Sequence, residues 1–347
     1  MSSYAILANP GHNRVYFEQS KALSLAELSL ALSALSAEYS QPELTPIAGV
    51  RYVTFKTDAP LADAALCTIA RLSFVYALFE LQGAESEPCL RPLTLPEVLY
   101  LDSSISGILK YSGKTNELFT RLLINAALLS TDFSPEGIRL LDPVAGKGTT
   151  LFEALSLGFD ACGIELSEKA VSEGFTYFKK YLEAARFKHS TATEKINLPD
   201  KAQSAKRFSA ELSRNRDEQK AGLTRRLELV SGSSAYADKY YKKNSFHLIV
   251  GDLPYGVQHG NVGAAGRSGS LTRSPKELVS SCAGAWYSIL KPGGAMALSW
   301  NSFVFSREDF SALLEQNGFR VLRGGVYEQL EHRVDQAIRR DVIVAKK

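Results

Sequence analysis

The tetrapeptide Asp-Leu-Pro-Tyr at positions 252–255 combines residue types that could activate a planar amino group, and it directly follows an apolar segment. An exocyclic amine on a base is a poor nucleophile because its lone pair is delocalised into the ring. The Asp252 carboxylate and the Leu253 carbonyl could each accept one N–H of such an amine and favour a pyramidal nitrogen. Pro254 biases Leu253 toward an extended conformation and so fixes that carbonyl, while the Leu253 side chain is free to vary. Tyr255 offers a ring on which a flipped or unpaired base could stack.

A second motif spans residues 140–155, where the pattern predicts a strand, a glycine-containing turn and a helix. Asp142 ends the strand. Gly146 and Gly148 permit a tight turn and allow the backbone to come close to a ligand. The amide groups of the helix that follows would point toward that turn, so the motif predicts a ligand site.

Two phosphate-binding motifs of similar form are excluded. A nucleoside-triphosphate loop needs glycine where Leu141 stands and Ser or Thr after Lys147, and a dinucleotide fingerprint needs a third glycine where Leu151 stands. A nucleoside cofactor without a pyrophosphate remains, and S-adenosylmethionine (SAM) is the obvious one. Asp142 could pair with its ammonium group. Glu165 lies 23 residues further on, at the end of the next predicted strand, where an acid could hold the ribose hydroxyls.

The remaining predicted contacts flank these motifs. The third strand of such a fold normally offers a polar residue to the adenine amine, and Ser233 or Ser234 stands there. No histidines or cysteines lie at metal-ligand spacing, so no metal is expected. The predicted SAM contacts are Asp142, Pro143, Ala145, Gly146, Gly148, Thr149, Glu165, Leu166, Ser233 and Ser234. The predicted substrate contacts, which are less specific, are Tyr111, Lys114, Gly256 and His259.

Strand and helix patterns alternate through residues 114–347, which is typical of a doubly wound, mostly parallel α/β sheet. This predicts a Rossmann-like methyltransferase fold. The two closing strand patterns, 320–329 and 336–347, have no helix between them and predict an antiparallel hairpin at the sheet edge. A stretch with three prolines, 83–97, indicates a linker, which we place at 93–113.

Residues 1–92 form a pattern of strand, helix, strand and helix, which predicts a small N-terminal α/β domain for substrate docking. The strands are predicted at 4–9 and 50–57. The helices are predicted at 20–36 and 63–81, the second being largely apolar.

Positive charge is concentrated in the middle of the chain. The whole chain has a formal net charge of +3, whereas residues 1–100 carry −4. Residues 179–226 hold 13 Lys and Arg against 6 Asp and Glu, a net charge of +7. Within this region residues 187–224 interrupt the strand–helix alternation as an insertion. The insertion is either a solvated, partly helical segment or a basic arm that attracts nucleic acid.

Composition narrows the class of protein. The 347 residues are 45 % hydrophobic and 22 % charged, which is close to the average of a soluble globular protein. No apolar run approaches the roughly 18 residues that a membrane span needs. The N-terminus lacks the features of a secretory signal, and four widely spaced cysteines argue against a disulfide framework. We therefore expect a cytoplasmic protein that is not attached to a membrane.

Together these motifs resemble those of the tRNA guanine-N2-methyltransferase family, which acts on the D-arm region of tRNA and is related to the THUMP-containing methyltransferases. DPVAGKGT at 142–149 is similar to the family's Asp-Pro-Phe/Met-x-Gly-x-Gly-Ser/Thr, and DLPYG at 252–256 to its Asp-Leu/Pro-Pro-Tyr/Phe-Gly. The similarity covers most of residues 100–347 except the insertion. It implies that Asp142, Gly146, Gly148 and Glu165 hold SAM and that 252–255 grip the guanine amine.

The first hypothesis is therefore a SAM-dependent N-methyltransferase acting on an exocyclic amine in RNA, foremost guanine N2 in tRNA. A DNA amino-methyltransferase has the same catalytic tetrapeptide. A protein-glutamine or small-molecule N-methyltransferase is a third hypothesis, against which the basic insertion argues. A SAM-binding RNA chaperone without turnover is the non-enzymatic alternative. The expected partner is RNA, with tRNA first, and an activating protein partner stays open.

Overall fold

Two β-sheets organise the chain in the computed structural model, which describes residues 2–9, 14–35, 38–84, 87–108, 114–198, 204–255 and 274–347. Side chains are described in these ranges except at 14–19, 108 and 204. The N-terminal sheet has five strands, all paired antiparallel, in the order β2-β3-β1-β4-β5. Its elements are β1 (Ser2–Ala8), α1 (Arg14–Ser33), β2 (Glu43–Ile47), β3 (Val50–Thr57), α2 (Asp63–Arg71), β4 (Val75–Ala84) and β5 (Glu87–Leu93).

The prediction of one long helix over 63–81 was wrong. The helix α2 ends at Arg71, and the chain continues as β4, which pairs with β1 on one side and β5 on the other. Val75, Tyr76 and Phe79 are strand-forming residue types, and their pairing partners outweigh the apolar run that suggested a helix. The strand β5 also occupies part of the proline-containing stretch 83–97 that we interpreted as linker.

The main sheet has ten strands and confirms the Rossmann-like α/β fold. The order is β13-β15-β12-β11-β6-β7-β10-β9-β8, with β14 paired to β15. Its elements are α3 (Ser104–Ile108), α4 (Glu117–Leu128), β6 (Arg139–Asp142), α5 (Thr149–Ser156), β7 (Asp160–Glu165), α6 (Glu168–Ala184), β8 (Lys188–Asn197), β9 (Ser204–Ser213), α7 (Arg216–Lys220), β10 (Arg225–Ser231), α8 (Ala237–Tyr240), β11 (Phe246–Asp252), α9 (Pro275–Ile289), β12 (Leu290–Asn301), α10 (Arg307–Gln316), β13 (Arg320–Val321), β14 (His332–Arg333) and β15 (Arg339–Lys346).

The five central strands of this sheet are parallel, and the direction of winding reverses between β6 and β11. From β6 the chain moves outward through β7 to β10, and it then returns to the other side of β6 as β11 and β12. In such sheets, ligands bind outside the carboxyl ends of the strands at the point of reversal. The closing strand β15 runs antiparallel to β13, as the sequence predicts, and it also pairs antiparallel with β12. The predicted strand 320–329 was wrong beyond Val321, because Gly325–Glu328 forms a 3-10 helix.

The basic insertion is a β-hairpin rather than a partly helical excursion. The strands β8 and β9 pair antiparallel over ten residue pairs, and β9 extends the main sheet by pairing with β10. Only the five-residue α7 is helical in the part of the insertion that the structure describes. The reason is visible in β9, where Ala210 and Leu212 are buried against the sheet at alternate positions.

The N-terminal domain packs on the main domain through α1 and α4. Leu23 and Leu30 belong to the same buried cluster as Phe119 of α4. Between these helices the buried Glu27 carboxylate accepts hydrogen bonds from the Ser73 backbone N–H at 3.0 Å and from the Asn125 side-chain amide at 2.7 Å. Burial raises the pKa of Glu27 above its usual value.

Candidate active site

The carboxyl ends of β6 and β11 carry Asp142 and Asp252 at the point where the winding reverses. The two strands are direct neighbours, with Ile249 paired to Leu141. A Cβ atom added at Gly251 would lie 3.2 Å from Pro143 and 3.3 Å from the Asp142 carboxylate. The absence of a side chain at position 251 therefore lets the two strand ends approach closely, which places both acids at the edge of the sheet where the ligand crevice of such folds lies.

Asp142 is buried, with 3 % of its surface exposed. Its Oδ1 accepts a hydrogen bond from the Val144 backbone N–H at 2.9 Å. Burial raises the pKa of Asp142 to about 7; hydrogen bonds from Thr150 and Val144 oppose this shift, and the nearby Glu165 and Asp252 charges add to it. The carboxyl group therefore changes its charge near neutral pH.

Glu165 and the glycine turn are held together directly. The Gly146 backbone N–H donates to Glu165 Oε2 at 3.0 Å, and the Ser167 N–H donates to Oε1 at 2.8 Å. Gly146 and Gly148 have φ of +53° and +97°, a conformation that glycine adopts readily, and Gly148 is the N-cap of α5. The structure thus brings together the predicted cofactor residues at the ends of β6 and β7.

Helix α6 supports this turn from behind, and it can do so because position 174 has no side chain. A Cβ added at Gly174 would overlap the Lys147 carbonyl oxygen. The Lys147 ammonium pairs with Glu173 of the same helix at 2.6 Å. The helix therefore contacts the glycine turn through backbone atoms and an ion pair.

The other predicted cofactor residues fall into two groups. Pro143, Ala145 and Thr149 are buried in and after the turn, whereas the Leu166 side chain is 61 % exposed beside Glu165. Ser233 begins a short 3-10 helix, Ser234–Tyr236, at the carboxyl end of β10. The buried Ser234 hydroxyl accepts a hydrogen bond from the Trp286 indole N–H at 3.0 Å, which leaves Ser233 as the more accessible of the two serines.

Three hydroxyl groups surround the Asp252 carboxylate. Thr115 donates to Oδ2 at 2.6 Å, and Tyr255 donates to Oδ2 at 2.7 Å with its oxygen 2.9 Å from Oδ1. The Ser299 hydroxyl donates to Oδ1. Burial and the adjacent Asp252 charge hold the pKa of the Tyr255 hydroxyl well above its usual value, so this group stays protonated and donates.

Arg340 completes the surroundings of this carboxylate from the antiparallel strand β15. Its Nη2 atom lies 3.6 Å from Asp252 Oδ2 and donates to the Tyr255 hydroxyl oxygen. The guanidinium carbon lies 4.3 Å from the centre of the Phe119 ring and 5.2 Å from that of Tyr255. Burial lowers the pKa of His332, which is paired with Arg340 across the strands, to about 4. The imidazole is therefore neutral at neutral pH, and Arg340 supplies the positive charge.

Two expectations for the catalytic tetrapeptide need correction. The Leu253 side chain is not free to vary, because it is 1 % exposed and packs in a core cluster with Trp300. Its backbone N–H donates to the Ser299 carbonyl at 2.8 Å. The Tyr255 ring is not simply an open stacking face either, since its hydroxyl binds Asp252 and its ring contacts Arg340. Pro254 is exposed, as expected for a residue that only shapes the backbone.

Lys114 is the described member of the predicted substrate contacts. Its ammonium group donates to the Ser106 carbonyl and lies 3.5 Å from Glu117, so it fixes the segment before α4 next to Thr115. The other three predicted substrate contacts, Tyr111, Gly256 and His259, lie outside the described residues.

Sequence reasoning missed Thr115, Ser299 and Arg340 as members of the site. Arg340 had a signal, because it lies on the same strand face as the apolar Val342 and Val344, at the start of a run of residues that are all buried, where a charge needs a partner. Among the residues that the structure describes, no group of three His, Cys, Asp or Glu could hold a metal ion. Within the same residues, no helix is long and apolar enough to cross a membrane.

No protein-family model and no curated protein matches the chain. Solved structures do resemble it in fold. Spermidine synthase from Thermotoga maritima is 12 % identical with a TM-score of 0.38, covering 78 % of this chain and 69 % of that one. A TehB-like SAM-dependent methyltransferase from Corynebacterium glutamicum is 15 % identical with a TM-score of 0.35, covering 65 % and 85 %.

An rRNA methylase from Streptococcus thermophilus is 10 % identical with a TM-score of 0.33, covering 64 % of this chain and 92 % of that one. Because these identities and scores are low, the assignment of the fold rests on the strand order of this chain itself.

Because α6 contacts the glycine turn at Gly174, we expect alanine at position 174 to have the opposite of its usual effect on the free energy of unfolding. In a helix interior, replacing Gly by Ala usually stabilises the folded protein by about 1 kcal/mol. We expect Gly174→Ala instead to destabilise by roughly 1–3 kcal/mol, because the new Cβ overlaps a backbone carbonyl. Gly284→Ala in α9 is the matched control, since its Cβ would lie an ordinary 3.4 Å from Asn317 Oδ1. Urea unfolding measures the change in the free energy of unfolding for both variants. If both changes had the same sign, the contact between Gly174 and the glycine turn would be contradicted.

Proposed function

We propose that this protein is a SAM-dependent N-methyltransferase that modifies an exocyclic amine of a base in RNA, foremost guanine N2 in tRNA. The observation that carries the proposal is the position of the Asp252 carboxylate. It lies at the carboxyl end of β11, beside Asp142 at the end of β6 and across the point where the winding reverses. An amine-binding group and a candidate cofactor site thus share one crevice.

The residues at the ends of β6 and β7 fit SAM by their chemistry. Asp142 would pair with the ammonium group, and Glu165 would hold the ribose hydroxyls. The exposed Leu166 side chain beside Glu165 offers apolar surface to the adenine, and Ser233 offers a polar atom at the next strand. When bound, SAM would supply an electrophilic methyl group: the nucleophile would bond to the methyl carbon as the bond from that carbon to sulfur breaks, and S-adenosylhomocysteine would leave.

Asp252 and Leu253 orient the substrate amine. One N–H donates to the Asp252 carboxylate and the other to the Leu253 carbonyl, so that the nitrogen becomes pyramidal and its lone pair points into the crevice. Positioning and electrostatic complementarity of this kind supply most of the rate gain. After transfer, the proton that the methylated amine loses passes to Asp252 and on to water.

The substrate amine must replace one of the donors that surround Asp252. Ser299 lies within strand β12 and Thr115 lies two residues before helix α4, next to its N-cap Asn116, whereas Tyr255 lies past the end of β11. The Tyr255 hydroxyl is therefore the donor that yields to the amine, which frees its ring to contact the base. Arg340 stays beside the carboxylate during this exchange.

The basic hairpin supports RNA as the substrate. Lys195 pairs across the strands with Lys206, Lys206 with Ser231, and Ser231 with Glu165. This row places two lysines at the carboxyl edge of the sheet, in line with the candidate cofactor site. Lys206 also pairs with Glu168 at 2.5 Å, which orients the hairpin toward that edge. Cations in this position attract the phosphate backbone of a substrate.

The first test removes the Asp252 carboxylate. We expect Asp252→Ala to reduce methyl transfer to total tRNA from a strain that lacks the gene by roughly a hundredfold or more, since a group that acts in the transition state is lost. SAM affinity by calorimetry should stay within about twofold. Asp238→Ala, in the short helix α8 after β10, is the control and should keep its activity. Nucleoside mass spectrometry identifies the product, and methylation by the Asp252 variant at the normal rate would refute the assignment.

The second test concerns Arg340 as a positioning residue. Arg340→Met should lower kcat at least roughly tenfold, because the carboxylate loses its cationic neighbour, and Arg340→Lys should recover part of the loss. Arg307→Met is the control, since it breaks the neighbouring Arg307–Asp341 ion pair of 2.5 Å without touching the site. If both Met variants lost stability and kcat in proportion, Arg340 would have only a structural role.

The third test uses the raised pKa of Asp142. The ionised carboxylate forms above about pH 7 and attracts a cation, so SAM affinity should rise as the pH increases through this value. Between about pH 5.5 and 7.5 we expect calorimetry to show a rise of up to roughly tenfold per unit. Asp142→Asn should bind weakly with a flat profile. A flat profile in the unmodified protein would remove Asp142 from the ammonium site.

A further inference from the structure

A second cluster of exposed side chains lies at the carboxyl edge of the main sheet, in the turn after β12. Phe303 is 56 % exposed and Val304 is 42 % exposed. The Arg339 guanidinium carbon lies 4.9 Å from the centre of the Phe303 ring. Neither Phe303 nor Arg339 is used by the mechanism above.

The buried Asn301 side chain joins this cluster to the catalytic tetrapeptide. Its Nδ2 donates to the Tyr255 carbonyl at 3.4 Å, and its Oδ1 accepts the backbone N–H groups of Phe303 and Arg339 at 3.2 Å each. The Phe303 backbone is therefore two hydrogen bonds away from Tyr255. The Phe303 turn is therefore fixed to the last residue of the catalytic tetrapeptide.

Arg339 is held in place before any ligand binds. Its Nε atom lies 3.0 Å from Glu331 and donates to the Ser302 hydroxyl at 3.0 Å. Because side chains alternate along a strand, Arg340 points into the site while Arg339 points outward to Phe303. The ring and the guanidinium group are thus a preorganised pair, which lowers the entropy lost on binding.

An exposed ring with a fixed guanidinium group suits an unpaired nucleobase. Every base offers a π-face to an aromatic ring, and arginine adds stacking and attraction to phosphate. A protein partner would need an interface on the order of 1,000 Å² or more. Among the described residues of this turn, exposed apolar surface is limited to Phe303 and Val304, and charged groups flank it. The chemistry therefore favours a base over a protein surface.

We propose that Phe303 and Arg339 form a stacking platform for an unpaired nucleotide adjacent to the nucleotide that is methylated. This proposal rests on the proposed function and adds the recognition of a neighbouring base to it. The platform selects single-stranded or looped segments, because a base inside a duplex cannot present its face to the ring.

The test compares variants that separate ring stacking from apolar bulk. Phe303→Leu keeps the bulk and loses the ring, whereas Phe303→Trp keeps a ring. The probe is a short fluorescein-labelled single-stranded RNA of mixed sequence, measured beside the same RNA as a duplex. We expect Phe303→Leu to weaken single-strand binding roughly tenfold and Phe303→Trp to stay within about twofold. Arg339→Gln should weaken binding and flatten its salt dependence.

Three results would overturn the platform. These are unchanged single-strand affinity in Phe303→Leu, equal weakening of single-strand and duplex binding in Phe303→Leu, and equal weakening of single-strand binding in Phe303→Leu and Phe303→Trp. Methyl transfer by the unmodified protein to total tRNA from the deletion strain is measured separately. If that transfer is absent, the proposed methyltransferase function is refuted, whereas the binding series still decides whether the platform exists.

Discussion

Two carboxylates at the ends of adjacent strands must coexist in one crevice, and the architecture of the site depends on how their repulsion is reduced. Asp142 is buried, and its pKa of about 7 lets it lose its charge near neutrality. Asp252 instead receives Arg340 and three hydroxyl groups. A single arrangement of strands thus gives two acids different environments, and under the proposed function this difference would separate the binding of a cation from the orientation of an amine.

The strand order explains why Arg340 can reach this crevice. The antiparallel strand β15 lies next to β12, which itself pairs with β11, so Arg340 and Asp252 belong to strands separated by one neighbour. Register then sets the contacts, because Ser299 is paired with Asp252 on one side and with Val342 on the other. A shift of one residue in β15 would turn Arg340 outward and bring Asp341 into the site.

The sequence predicted the acids of the site but not their partners. Asp142, Glu165 and Asp252 each end an apolar strand, and parallel strands end at one edge, so their proximity follows from local patterns. Arg340 lies 88 residues after Asp252, and its contact depends on which strands become neighbours. Local sequence does not show which strands become neighbours, and this also explains the wrong helix prediction at β4. The residues of β4 are apolar enough for a buried helix, but their pairing with β1 and β5 makes them a strand.

The hydrogen bond from Tyr255 to Asp252 also bears on selectivity. The Tyr255 hydroxyl donates a hydrogen bond to the Asp252 carboxylate. A ligand without an N–H group that displaced this hydroxyl would leave a buried polar group unpaired and would make no compensating hydrogen bond. Under the proposed function, an exocyclic amine would replace the lost donor and offer a flat ring to the freed tyrosine. Asn301 links the tyrosine backbone to the Phe303 turn, so the proposed amine site and the proposed stacking platform share one hydrogen-bonded segment. On this proposal, the closed tetrapeptide would favour amine-bearing bases over other planar groups before any chemical step begins.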